Sequence, residues 1–120
     1  MSTRSLIAVE QQDGTYNTIY CHFDGYVEGG VGEELFKKFG ERADVENLIS
    51  LGDRRALVDT LPEEDLYNEP YGKYSLEKLK RQLDMIDYIY IFNLSDEWIV
   101  ISDIFGQGKV LTKKLSDFFK

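Results

Sequence analysis

An Asp-Gly pair at positions 13 and 14 lies between two runs rich in apolar residues, and this arrangement is a strong signal for a β-hairpin. The glycine supplies the positive φ that a two-residue primed turn requires. We therefore expect residues 5–9 and 16–23 to form antiparallel strands. Strand alternation divides the second strand between two faces. Ile19, Cys21 and Phe23 are expected in the core, and Tyr16, Thr18, Tyr20 and His22 on the opposite face.

A second hairpin is predicted near the C-terminus, where residues 88–94 and 98–102 flank the turn Ser95-Asp96-Glu97. Apolar residues at helical spacing predict helices elsewhere. The predicted helices carry Leu35, Phe36 and Phe39 before Gly40; Val45, Leu48 and Ile49 after an Asp44 cap; Leu76, Leu79 and Leu83 after a Ser75 cap; and Leu111, Leu115, Phe118 and Phe119. Residues 53–74 are expected to form a long acidic loop.

This order of elements predicts an α+β fold rather than an alternating parallel arrangement. We expect an antiparallel sheet of about four strands, made from the two hairpins, because an isolated hairpin is barely stable in water. Three to four helices are expected to cover one side of it. The length of 120 residues suits a single domain, residues 1–120, with a substantial core.

The chain carries 22 acidic and 14 basic residues, a net charge of −8. This balance argues against direct binding to DNA, because each phosphate contact calls for Lys or Arg. The single cysteine excludes an internal disulfide. With no signal-like stretch after Met1 and no apolar run long enough to cross a bilayer, we expect a protein of a reducing, cytosolic setting that does not bind membranes.

The acidic excess is concentrated between residues 59 and 77, where Lys73 is the only basic residue. The ordinary interpretation is a solvated acidic loop. The alternative is a surface that imitates a phosphate backbone and occupies a basic groove on a nucleic-acid-binding protein. The residues predicted to form that partner-binding face are Asp59, Glu63, Glu64, Asp65 and Glu69.

Residues 20–32 contain the only His, the only Cys and four of the ten glycines, so this run is the strongest candidate for a site. Cys21 and His22 are adjacent, which places them on opposite faces of a strand and prevents a thiolate–imidazolium pair. The glycine pattern matches neither a P-loop nor a dinucleotide fingerprint. The spaced His and Cys sets typical of zinc are missing from the sequence. We therefore expect no enzyme activity, no cofactor and no metal.

Two interpretations of the glycine-rich run remain open: a tight structural turn, or an anion site at the start of the following helix. The first hairpin would bring Arg4 close to Asp24, where it could form a salt bridge or clamp a ligand. Tyr20 and Tyr26 could stack on a base. The residues predicted to bind a small anionic ligand are Arg4, Ser5, Tyr20, His22, Asp24, Tyr26, Gly29, Gly30 and Gly32.

The N-terminal third carries a recognisable combination of motifs. Thr-Arg-Ser at residues 3–5, the Asp-Gly turn, and Tyr-Cys-His-Phe-Asp-Gly-Tyr at residues 20–26 precede a glycine pair and a helix. Together they resemble a group of small phage and prophage proteins. The resemblance ends at Gly40. It implies a phage or prophage setting, in which small acidic proteins counter host defences by sequestering a nucleotide messenger or by blocking a nuclease.

These observations predict a non-catalytic binding protein whose partner is a host defence protein or its nucleotide messenger. In one hypothesis the Arg4 and glycine-rich region captures an anionic nucleotide, with a homo-oligomer interface as one setting for it. In the other, the acidic face occupies a basic groove of a nuclease or CRISPR effector. A structural or assembly accessory is the third possibility.

Overall fold

A six-stranded sheet forms the centre of the computed structural model, which describes residues 3–54, 71–103 and 110–119. The strands are β1 (Ser5–Glu10), β2 (Tyr16–Cys21), β3 (Gly72–Tyr74), β4 (Tyr88–Phe92), β5 (Trp98–Ser102) and β6 (Leu111–Lys114). Their order across the sheet is β3-β2-β1-β4-β5-β6. The helices are α1 (Val31–Lys38), α2 (Arg42–Ser50) and α3 (Leu76–Arg81), with 3₁₀ turns at Gln82–Asp84 and Leu115–Phe118.

Both predicted hairpins are present. β1 and β2 pair antiparallel with Ile7 opposite Ile19, and β4 and β5 pair antiparallel with Ile91 opposite Ile99. Gly14 has a φ of 86°, in the left-handed region that favours glycine. The predicted two-residue primed turn is wrong, because Asp13 has no positive φ and the Gln11 N–H donates to the Thr15 carbonyl at 2.8 Å across a longer loop. The local turn chemistry therefore predicted which segments pair as neighbours.

The predicted antiparallel sheet of about four strands is wrong, because β1 and β4 pair in parallel with Ile7 opposite Tyr90. Two further strands, β3 and β6, extend the sheet at its edges. A parallel pair needs a long crossover connection. The chain between β2 and β4 supplies it, and so the two hairpins join through one parallel contact into a mixed sheet.

The expectation that helices cover only one side of the sheet is also wrong. On one face, α1 and α2 pack through Leu35, Val45 and Leu48 against a cluster that includes Ile7. On the other face, Leu79 and Leu83 pack against a separate cluster of strand residues. Residues Ser5–Val9 of β1 are all buried, as expected for a strand covered on both faces.

Two predicted elements in the C-terminal half of the chain are wrong. The predicted last helix is strand β6 followed by a 3₁₀ turn, and the end of the predicted acidic loop contains β3. β3 pairs with β2, so that Lys73 lies opposite Asn17. Both β3 and β6 lie at an edge of the sheet. The formation of such a strand depends on its neighbouring strand rather than on a strong local sequence pattern.

Side-chain predictions differ in outcome. Ser75 caps α3 as expected, with its hydroxyl oxygen accepting the Lys78 N–H at 3.1 Å. The second helix begins at Arg42 rather than after Asp44, which lies in its first turn. Phe23, expected in the core, is 42% exposed, and Leu76, expected to face inward, is 37% exposed. Among the described residues no helix has the length and apolar composition needed to cross a membrane.

Candidate functional site

The glycine-rich run folds into a bend, which we define as residues 24–32, between β2 and α1. Asp24 begins it with a φ of 59°. The Gly25 N–H then donates to the Thr3 carbonyl at 2.9 Å, which brings the bend against the residues just before β1. A Cβ on Gly25 would lie 2.7 Å from the Thr3 carbonyl oxygen and 3.1 Å from the Arg4 carbonyl carbon. The backbone of Arg4 therefore lies beside the bend.

The first N–H groups of α1 donate to carbonyl groups of the bend itself. The pairs are Val31 to Asp24 at 2.7 Å, Gly32 to Tyr26 at 3.2 Å and Glu33 to Val27 at 2.8 Å. The Gly29 N–H donates to the Glu33 carboxylate at 3.3 Å. These donors are the ones that an anion at a helix N-terminus would use. Because they have protein acceptors, the geometry favours the interpretation of the bend as a structural turn.

Close backbone packing accounts for two of the predicted glycines. A Cβ on Gly30 would lie 2.6 Å from the Tyr26 carbonyl oxygen, and one on Gly32 would lie 2.7 Å from the Val27 Cα. Real Cβ atoms do not approach other heavy atoms this closely. The glycines therefore allow the bend to close on itself, and this requirement needs no ligand.

Tyr20 and His22 lie on the same face of the chain, as the alternation predicted. The Tyr20 hydroxyl is 2.5 Å from the His22 Nδ1, and the ring of Phe23 contacts the His22 ring edge-on at a centroid distance of 4.5 Å. The Asp24 carboxylate accepts a hydrogen bond from the Tyr26 hydroxyl at 3.1 Å. Within the part of the chain that the structure describes, no ion pair joins Arg4 to Asp24.

Ser5 and Cys21 lie opposite each other in the sheet and are both fully buried. Burial raises the pKa of the Cys21 thiol to about 12, so the thiol stays protonated near neutral pH. Arg54 is also fully buried, and its backbone N–H donates to the Tyr20 backbone carbonyl at 2.9 Å. The sequence carried no signal for this buried arginine. Ser5, predicted to bind a ligand, thus lies in the interior, while Arg4, Tyr20 and His22 lie closer to the surface.

Charge is distributed unevenly between the two faces of the sheet. Residues 24–50, which form the bend, α1 and α2, contain seven acidic and three basic residues; we name this surface the acidic layer. Residues 72–86, which form β3 and α3 on the opposite face, contain four basic and two acidic residues. The sequence prediction placed the acidic face at Asp59, Glu63, Glu64, Asp65 and Glu69, which lie outside the described residues.

All three basic residues of the acidic layer are engaged in ion pairs. The pairs are Lys37 with Glu33 at 3.0 Å, Lys38 with Glu34 at 2.9 Å, and Arg42 with Asp96 at 3.0 Å. Glu28, Glu41 and Asp44 are exposed acidic residues of the same surface. The layer therefore presents an excess of carboxylates to solvent, and each of its cations has an acidic partner.

A cavity of about 200 Å³ opens where α1 meets the β4–β5 turn, and we name it the Trp98 pocket. It is lined by Phe36, Gly40, Phe92, Asp96, Glu97, Trp98 and Ser116. The Trp98 indole N–H donates to the Phe39 carbonyl at 2.7 Å, which holds the ring in place. The sequence shows a tryptophan beside two acidic residues, but their meeting with Phe36 depends on the tertiary structure.

The described residues contain no group of three or more His, Cys, Asp or Glu placed to hold a metal ion. Comparison with known proteins finds no matching family model, no matching curated protein and no matching solved structure. The resemblance to phage proteins therefore stays a prediction, and the charge distribution and surface geometry of the protein are the features from which its function is inferred.

Proposed function

We propose that this chain is a non-catalytic binding protein that engages a basic, nucleic-acid-binding groove of another protein through its acidic layer. One observation carries the proposal: the layer has seven acidic and three basic residues, and each of its three cations lies in an ion pair, Lys37 and Lys38 within the layer and Arg42 with Asp96 outside it. The outward-facing charge is therefore an excess of carboxylates. The net charge of the chain, −8, adds to the same field. A surface of this kind is complementary to a groove that normally holds phosphates.

Rigid support makes such a surface effective, because ordering it on binding then costs little free energy. The helices of the acidic layer are anchored to the sheet by buried side chains, including Leu35, Val45 and Ile49. The bend is held by the hydrogen bonds that cap α1. Complementary charge acts mainly on the association rate, which should fall steeply as salt is added.

The resemblance to phage and prophage proteins supplies the proposed setting. In a bacterial cytoplasm, the partner would be a host defence nuclease or effector whose basic groove binds DNA or RNA. The acidic residues Asp59, Glu63, Glu64, Asp65 and Glu69 add to the net negative charge of the chain, which attracts a basic partner. Both the setting and the partner are proposals.

Capture of a small anionic nucleotide has less support from the geometry. The helix N–H groups that would hold the anion have acceptors within the bend, and Ser5 is fully buried. This hypothesis retains Arg4, Tyr20 and His22 as candidate contacts. It requires that Arg4→Ala abolish nucleotide binding measured by calorimetry.

Two double variants test the proposed function. One reverses two acidic charges on the acidic layer, and the control reverses two acidic charges on the opposite face of the sheet. Native mass spectrometry of the protein purified from bacteria with active defences identifies a retained partner, and DNA competition then shows whether the partner's groove is occupied. Glu41→Lys with Glu46→Lys should abolish inhibition of that partner. The control, Glu77→Lys with Asp84→Lys, changes the net charge equally on the face of α3 and should leave inhibition intact.

An equal loss of inhibition in both double variants would mean that only the net charge of the protein matters. This result would contradict the assignment of the binding surface to the acidic layer. Inhibition that DNA does not compete with would contradict occupation of the groove. Circular dichroism and thermal unfolding of each variant show that it is folded before its binding is compared.

A further inference from the structure

We infer that the Trp98 pocket is an anchor site for one arginine side chain of the partner protein. The inference rests on the proposed function, which supplies a basic partner, and it assigns a specific residue type and position to the contact. The cavity of about 200 Å³ is smaller than the roughly 300–1,000 Å³ typical of small-molecule sites. It therefore suits a single side chain better than a nucleotide.

The lining combines aromatic rings with carboxylates, and this is the chemistry that recognises a guanidinium group. Phe36 is 36% exposed and forms an aromatic wall that stacks on Phe119 at a centroid distance of 5.0 Å. Trp98 forms the wall beside it. Asp96 and Glu97 supply the carboxylates. A planar guanidinium can stack on a ring and donate two hydrogen bonds to one carboxylate at the same time.

The protein already holds one guanidinium in these surroundings. Arg42 lies over the Phe92 ring at 5.2 Å and donates to Asp96 at 3.0 Å. It also donates to the Asn93 carbonyl at 2.6 Å, so its position is fixed by several contacts. Arg42 therefore neutralises Asp96, and it shows how an arginine fits against an aromatic ring and a carboxylate at this end of the sheet.

Glu97 is the carboxylate that a guest cation can use. Its ion pair with Lys114 spans 3.5 Å, and the two side chains are 49% and 60% exposed, respectively. An exposed pair of this kind contributes little free energy. A partner arginine can therefore displace Lys114 from Glu97 at low cost while its carbon chain contacts Trp98.

The pocket is continuous with the acidic layer. Gly40 lines the pocket, and the next residue, Glu41, is an exposed carboxylate at the start of α2. Interfaces often concentrate their binding energy in a few buried anchors, among which arginine is enriched. Long-range attraction by the layer would thus be combined with a specific contact in the pocket.

Trp98 is the only tryptophan of the chain, so its fluorescence reports the pocket directly. The probe is N-acetyl-arginine amide, and the control ligand is N-acetyl-citrulline amide, which has nearly the same shape without the charge. We expect a saturable change in Trp98 fluorescence with the arginine probe and a dissociation constant on the order of 1 mM. The citrulline control should give no saturable change.

Two variants locate the site. Glu97→Gln and Phe36→Ala should each weaken the arginine probe by about threefold or more, because one removes the carboxylate and the other the aromatic wall. Glu77→Gln removes the same charge from α3, on the opposite face of the sheet, and should leave the affinity unchanged. Equal changes in Trp98 fluorescence with the arginine and citrulline probes in the unmodified protein would overturn the inference. An unchanged affinity of Glu97→Gln for the arginine probe would also overturn it.

The failures of the two proposals can be told apart. If the arginine probe does not bind but charge reversal of the acidic layer still abolishes inhibition of a partner, only the pocket assignment is wrong. If the probe binds as expected and no basic partner responds to charge reversal, the pocket inference stands and the proposed function is wrong.

Discussion

The Tyr90 hydroxyl donates a buried hydrogen bond of 2.6 Å to the Gly25 carbonyl and so connects the centre of the sheet to the bend. Tyr90 belongs to β4, and its partner is 65 residues away in the chain. The bend in turn caps α1. This helix is part of the acidic layer, and it also carries Phe36 of the Trp98 pocket. The position of the proposed binding surface thus depends on a contact with the core.

Removing that hydroxyl should destabilise the fold. Tyr90→Phe leaves the buried Gly25 carbonyl without its donor, which costs about 1–3 kcal/mol. Chemical denaturation followed by circular dichroism measures the loss. Tyr71→Phe is the control, because Tyr71 is 43% exposed and the same hydroxyl is removed from a residue at the surface. Equal stabilities of the two variants would contradict a structural role for the Tyr90 hydrogen bond.

Replacing either of two glycines near α1 with alanine should change the stability of the protein in different directions. In Gly30→Ala the new Cβ would lie 2.6 Å from the Tyr26 carbonyl oxygen, so the bend must shift, at a cost of about 1–3 kcal/mol. In Gly40→Ala the Cβ would meet no atom within 4 Å. That change should be neutral or stabilise the protein by about 0.4–1 kcal/mol, because it restricts the unfolded chain.

The two alanine variants are compared by thermal and denaturant unfolding under identical conditions. A loss of stability in Gly40→Ala as large as in Gly30→Ala would show that the close contact in the bend does not set the cost of the substitution.

Stability should fall at alkaline pH. Burial raises the pKa of the Cys21 thiol from its ordinary value of 9.0 to about 12, and burial likewise raises the pKa of the Tyr90 hydroxyl. Above pH 9 the unfolded chain therefore releases the Cys21 proton while the folded chain keeps it. Since the folded state then binds more protons, the free energy of unfolding decreases by up to about 1.4 kcal/mol per pH unit for each such group.

Denaturant titrations at neutral pH and at several values above pH 9 measure this decrease. Cys21→Ala should reduce the slope between pH 9 and 12, because it removes a buried group that loses its proton more readily in the unfolded chain. An unchanged slope in Cys21→Ala would show that the thiol ionises at a similar pH in both states. The native thiol should also react slowly with a disulfide reagent until the protein is unfolded.

Local patterns were sufficient for the elements that are defined by neighbouring residues. The first hairpin, the strand alternation that joins Tyr20 to His22, and the Ser75 cap all depend on groups a few residues apart, and each is present, although the turn of that hairpin is longer than the two residues predicted. The charge imbalance was also visible, although its described part lies on α1 and α2 rather than at residues 59–69. A missed clue was the unbroken apolar character of Leu6–Val9, which is typical of a strand covered on both faces.

Partners distant in sequence were decided by the tertiary structure alone. The parallel pairing of β1 with β4 gives no local signal, because a crossover leaves the residues of each strand unchanged. The same applies to Phe36, Glu97 and Trp98, which meet only after α1 packs beside the β4–β5 turn. Hydrogen bonds and turns between close neighbours are encoded by residue type. Which surfaces come together is determined by burial of apolar area over the whole chain.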